Sequence, residues 1–222
     1  MKKVSLIAMG AALATGAAAS ADFVSFEGAV NEIDGFTVIQ MYAVYDTSDI
    51  ALNVFNAEIS SSDTAFNHSD YQAAAGGSWV PTNSGDVPGF ANSAIDSYVT
   101  VGYGVGAAAA LNSTALDPNF LDATGGLGGT VPSGAGWYNG NPPNDIFATA
   151  QAGFDYAVLI GQFVFTASTE GSFSFNAEMG SKGVGSGEVF FGADEFTWNA
   201  VPAPGALALL GLGGLAARRR RG

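Results

Sequence analysis

No cysteine occurs among the 222 residues. That excludes disulfide staples, thiolate metal sites and a cysteine nucleophile. Histidine is almost as scarce, with His68 standing alone. One imidazole and no thiol are too few for a zinc site. His68 lies in Phe66-Asn67-His68-Ser69-Asp70-Tyr71. Its neighbours Ser69 and Asp70 cannot complete a hydrolytic triad, because that geometry needs side chains converging from separate segments. Positive charge is also missing from most of the chain. Of the 7 basic residues, only Lys182 lies outside the two ends, while all 20 acidic residues fall between Asp22 and Glu195. Twenty acids against one lysine leave the body at −19 with His68 neutral. Such a field excludes nucleic acid and anionic membranes as partners. It suits a soluble protein in a salty medium with divalent ions at hand. A phosphate loop is missing too: Gly125-Gly126-Leu127-Gly128-Gly129 is followed by no Gly-Lys-Ser.

Both ends are apolar and carry the cations. Lys2 and Lys3 precede an Ala-rich apolar segment from Val4 to Ala19. Ala19-Ser20-Ala21 is a small-x-small cleavage site, so residues 1–21 read as a signal peptide and the mature chain is expected to begin at Asp22. At the other end Val201-Pro202-Ala203-Pro204-Gly205 leads into an apolar run that stops at Arg218, Arg219, Arg220 and Arg221. Val201 to Ala217 is 17 residues, at the lower limit for a helix that spans a bilayer. Four arginines cross at high cost and are expected to stay cytoplasmic. The alternative, a C-terminal core helix, would need a polar face that this run lacks.

A short proline-bounded signal, an apolar segment and an arginine stop resemble the PEP-CTERM sorting signal of exported bacterial proteins. Pro202 and Pro204 match the two prolines of that motif, and Ala203 replaces its usual glutamate. The resemblance implies a membrane-held tail over 201–222, handled by a protease-transpeptidase of the exosortase type. It further implies an exported chain, transiently anchored and then placed at the cell envelope or surface. The body is similar to uncharacterised PEP-CTERM proteins of aquatic bacteria such as planctomycetes, on Leu52 to Ala57, Asp96 to Gly102, Gly136-Trp137-Tyr138 with Asn141-Pro142-Pro143, and Val158 to Phe163. That likeness implies a secreted β-domain and no particular chemistry.

The body, Asp22 to Ala200, is long enough for one domain with a substantial core. Its pattern is β. Phe36 to Tyr45 is rich in β-branched and aromatic residues, and Leu52 to Ile59 follows with Phe55, Ala57 and Ile59 on one face. Tyr98 to Tyr103 alternates. Phe154 to Phe165 is apolar on both faces, as expected of a strand covered on both sides. Ser172 to Met179 puts Phe173, Phe175, Ala177 and Met179 inward. Thr166 to Gly171 is read as a hairpin joining those two strands, and Val189 to Phe191 and Phe196 to Trp198 as two closing strands. Ala107 to Leu111 reads as a helical turn. Gly- and Pro-punctuated stretches over Ser60 to Asn92 and Gly104 to Ala150 read as long loops. Strands with long loops predict an all-β chain, a single β-sandwich of jelly-roll character. A right-handed β-helix would need more even spacing.

Carboxylates and amides are the abundant polar groups. Asp117, Asn119 and Asp122 form one candidate calcium set, and Asn141 and Asp145 contribute to a second with Asn139 and Asn144. Asx-turns that cap their own backbone are the alternative. Trp79, Trp137 and Tyr138 lie in loop-rich stretches and are candidates for stacking on sugar rings. The alternative is that each tryptophan folds back over the core. Asp194-Glu195 and Glu32 with Asp34 are the carboxylate pairs a glycosidase could use. The reading is an exported structural or adhesive protein, not an enzyme, with no cofactor beyond calcium. Extracellular polysaccharide is a second candidate partner. The rivals are a carbohydrate-binding module using loop aromatics and an extracellular glycoside hydrolase.

Overall fold

The computed structural model describes residues 23–68, 79–81, 92–105, 113–120, 129–141 and 143–201. Apart from one helical turn at 118–120, their regular structure is β. The strands are β1 (Phe23–Ile33), β2 (Phe36–Tyr45), β3 (Ile50–Ser61), β4 (Tyr98–Val99), β5 (Thr114–Leu116), β6 (Ala135–Asn139), β7 (Ile146–Phe147), β8 (Thr149–Gln151), β9 (Phe154–Thr166), β10 (Ser172–Lys182) and β11 (Phe190–Asn199). Every pairing between them is antiparallel. One sheet runs β1-β2-β9-β4, with β8 also on β9; the other runs β11-β10-β3-β6-β5, with β7 on β3. The all-β expectation is therefore met. The signal peptide, the tail from Pro202 to Gly222, Ala107 to Leu111 and Asp122 lie outside the described residues.

Local chemistry sets the hairpins. Asp34 and Gly35 both take positive φ, 51° and 84°, as a two-residue hairpin turn requires, and Ile33 pairs with Phe36 across them. β1 was not among the expected strands. β8 and β9 are joined the same way through Ala152 and Gly153, at 53° and 90°.

The core draws on both sheets. Phe26 of β1 meets Phe175 of β10 at 5.0 Å between ring centroids, and Phe165 of β9 stacks on Phe173 at 6.1 Å. β10 keeps the predicted register, with Phe173, Phe175, Ala177 and Met179 buried. Ala157 to Phe165 is buried throughout, so β9 is covered on both faces.

Four expectations are corrected. Gly104 to Ala150 is not one long loop, since it contributes β5, β6, β7 and the start of β8. β9 and β10 belong to different sheets, so Thr166 to Gly171 is a crossing between sheets and not a hairpin. In β3, Ala57 enters the core and Ile59 packs against it as expected, but Ala51 and Val54 also face inward, while Phe55 turns outward onto Phe191 at 5.6 Å. The cause is a bulge: Asn56 takes φ 51°, and the register against β10 shifts between Asn176 and Glu178. The two closing strands are one, because Gly192 to Glu195 continues the ladder against β10.

β1 and β11 close one side of the two sheets. A Cβ on Gly28 would collide with the Phe196 ring, and one on Gly192 with Phe23, so both glycines permit the approach. The Phe26 N–H donates to the Asp194 carboxylate at 2.9 Å, replacing a ladder bond. Glu27 lies beside this bond. Burial raises its carboxyl above the ordinary 4.5, and Asp194 adds to that, against the lowering hydrogen bond from Ser25. A raised folded value means the folded state prefers the proton. The resulting stability is present below the unfolded value and is lost as pH rises through the folded one. Glu27→Gln should therefore raise Tm near pH 7 and change it little below about pH 4. An equal rise at both pH values, by scanning calorimetry, would refute this account.

Candidate functional site

The outer face of the first sheet carries a row of polar groups on otherwise apolar strands. Gln40 of β2 lies opposite Gln162 of β9, and Gln162 lies opposite Tyr98 of β4. The register of β2 on β9 shifts between Met41 and Tyr42, whose partners are Gly161 and Leu159. This skips Ile160, so Leu159 and Gln162 both face outward while Ile160 and Phe163 enter the core. A second, smaller cluster of Ala29, Tyr42, Tyr98, Ala157 and Leu159 packs on this outer face.

The amides form a directed chain. The Tyr42 hydroxyl donates to Gln40 Oε1 at 3.3 Å, and Gln40 Nε2 donates to Gln162 Oε1 at 3.2 Å. Gln162 Nε2 then donates to the Ser93 and Asp96 carbonyls at 2.9 and 2.8 Å. Gln162 is only 3 % exposed, and both its N–H groups are used. Its orientation is thereby fixed, and segment 93–96 is tied to the sheet. Gln40 keeps one Nε2 hydrogen outside this chain.

Beside this row is a groove of about 500 Å³. Asn31, Ile33, Val38, Gln40, Tyr98 and Leu159 line it, with Ser93, Ala94, Gly104, Val105 and Gln162. None of these described lining residues is charged. Burial, with Tyr42 and Asp96 nearby, raises the Tyr98 phenol well above its ordinary value, so its hydroxyl stays a neutral donor and acceptor. A smaller groove, about 220 Å³, lies at Tyr103, Phe147 and Gln151.

The predicted site residues fall elsewhere. Trp79 and Trp137 are buried at 0 % and 1 %, so neither ring offers a face to a sugar. Trp137 alternates inward on β6 and donates its Nε1–H to the Thr100 carbonyl at 3.0 Å. Trp79 stacks on His68 at 4.9 Å. Tyr138, the next residue on β6, is exposed at the outer face of the second sheet, opposite Asn53. The stacking expectation is thus overturned for both tryptophans, which fold back into the core.

Among the described candidate calcium ligands, Asp117, Asn119, Asn139 and Asp145 are engaged with the chain itself. Asp117 Oδ1 accepts from the Phe120 N–H at 2.8 Å, capping the helical turn, and Asn119 Nδ2 donates to the Ser133 carbonyl at 2.9 Å. Asn139 Oδ1 accepts from the Asn141 N–H at 2.9 Å, an Asx-turn. Asp145 faces the Lys182 ammonium at 3.0 Å. Among the described residues no three His, Cys, Asp or Glu side chains gather as metal ligands would. Asp194 and Glu195 are strand neighbours and point to opposite faces, so they do not converge on one substrate.

His68 is sealed. Its Nδ1 lies 2.8 Å from the Ser97 carbonyl and 3.2 Å from Asp96 Oδ1, so Nδ1 carries the proton. Its Nε2 is buried and has no hydrogen-bond partner among the described residues. Asp96 is 28 residues away in sequence, and no local motif announces the pair. The glutamines did leave a signal: each is the single amide in a strand that is apolar on both faces. Comparison with protein-family models, with curated proteins and with solved structures finds no match for this chain.

Proposed function

We propose that this chain is an exported, non-enzymatic protein of structural or adhesive role, held at the cell envelope or in the extracellular matrix. Residues 1–21 are its signal peptide, 22–200 a single β-sandwich, and 201–222 a tail sorted by an exosortase-type protease-transpeptidase. Successive strands cross between the sheets, from β2 to β3 and from β9 to β10, which supports a jelly-roll-like path.

One observation carries the reading: the polar chemistry is spent on construction. His68 and Asp96 fasten one loop, Asp117 caps another, Asp194 closes the β1–β11 side, and the body's single lysine is paired with Asp145. An acidic exterior around an aromatic core suits a soluble surface domain. The test is labelling with an antibody against the body, on intact and on lysed cells. Equal labelling of both is expected. An epitope reached only after lysis would overturn the surface reading.

A further inference from the structure

We propose that the groove on the outer face of the first sheet binds a neutral saccharide, with Gln40 and Asn31 as its polar anchors. The assignment deepens the adhesive reading and rests on it, by giving the adhesin a ligand class.

The size fits first. About 500 Å³ lies within the range of about 300–1,000 Å³ usual for small-ligand sites. The electrostatics then narrow the chemistry. No charged side chain among the described lining residues could balance a phosphate, carboxylate or ammonium. The body's −19 charge repels anions before they arrive. A purely apolar ligand is disfavoured as well, since it would cover the spare Gln40 N–H without a partner.

The groups present match a sugar. Vicinal hydroxyls are donors and acceptors at once, and the Gln40 amide, the Asn31 amide and the neutral Tyr98 hydroxyl answer both roles. Ile33, Val38 and Leu159 supply an apolar wall for the C–H face of a pyranose. The Gln40 amide is already oriented by Tyr42 and Gln162, so little rotamer entropy is lost on binding. The backbone beside the groove is tied down by Gln162, which keeps the opening in shape.

Titration calorimetry on the full chain tests this. The probes are cellotetraose, laminaritetraose, maltotetraose, mannotetraose and xylotetraose, with tetragalacturonate as the charged control. At least one neutral tetrasaccharide should bind with Kd of about 0.1–10 mM. Gln40→Leu should weaken it at least about tenfold, and so should Ala94→Trp, which fills the groove without touching the amide chain. Should Gln40→Leu fail to fold, Ala94→Trp decides alone. Three outcomes would overturn the proposal: no neutral probe binds, both variants bind as the parent does, or tetragalacturonate binds equally well. Any of these would leave surface exposure, read by antibody labelling, untouched.

Discussion

Phe175→Ala should cost about 3–5 kcal/mol of stability, the range for emptying a fully buried phenylalanine site. Phe175 is 0 % exposed and sits where the two sheets meet. Its ring contacts Phe26 at 5.0 Å, Phe163 at 5.9 Å and Trp137 at 6.4 Å, so four strands lose packing together. The surrounding rings are held by their own strands and cannot collapse freely into the void. A domain with about 5–15 kcal/mol in total would be brought near its limit. Ser174, one residue earlier on β10, faces the other way. Ser174→Ala should stay within about 0.5 kcal/mol. Urea unfolding of the full chain compares the two. A loss below about 1 kcal/mol for Phe175→Ala, with a larger loss for Ser174→Ala, would reverse the inward face of β10.

That face was legible because β10 alternates without interruption, and nothing in it competes with the period of two. β2 was legible to its ends for a similar reason: Phe36 to Tyr45 is a continuous β-branched and aromatic run bounded by turn residues. β1 was not. Its Glu27, Gly28, Asn31 and Glu32 dilute the pattern, and only the Asp34-Gly35 pair marks the hairpin. β3 shows how one residue defeats a correct period. Asn56 in the left-handed region inserts a bulge, and beyond it the faces exchange, so Phe55 leaves the core and Val54 enters it. The path from β9 to β10 could not be read from Thr166 to Gly171, because such a segment serves a hairpin or a sheet crossing equally well. The groove was hidden for a different reason. It joins Asn31, Gln40, Tyr98 and Gln162, which only the pairing of β1, β2, β9 and β4 brings together. Composition located the acidic body and the cationic ends, since those are sums over residues and need no register.

The tail should behave as an all-or-none switch on where the chain ends up. On the proposed sorting reading, the 17 residues from Val201 to Ala217 would hold the chain in the bilayer, and Arg218 to Arg221 would stop it from passing through. The segment around Pro202 and Pro204 would then be presented at the outer face, where cleavage would free the body from its anchor. The mature surface form should therefore lack Ala206 to Gly222. Changing the four arginines to serine removes the charge that resists translocation, at about 2.5–3.5 kcal/mol per arginine near the bilayer centre. Uncut, longer protein should then be released into the medium. Replacing Pro202 and Pro204 with alanine leaves apolar segment and arginines intact, so the full-length form should stay trapped in the membrane. The two variants thus fail in opposite directions, which separates loss of the stop from loss of the signal. Intact-mass spectrometry of the medium, membrane and surface fractions reads all three outcomes. A mature surface form that still ends at Gly222 would make the tail a permanent anchor and end the sorting-signal reading.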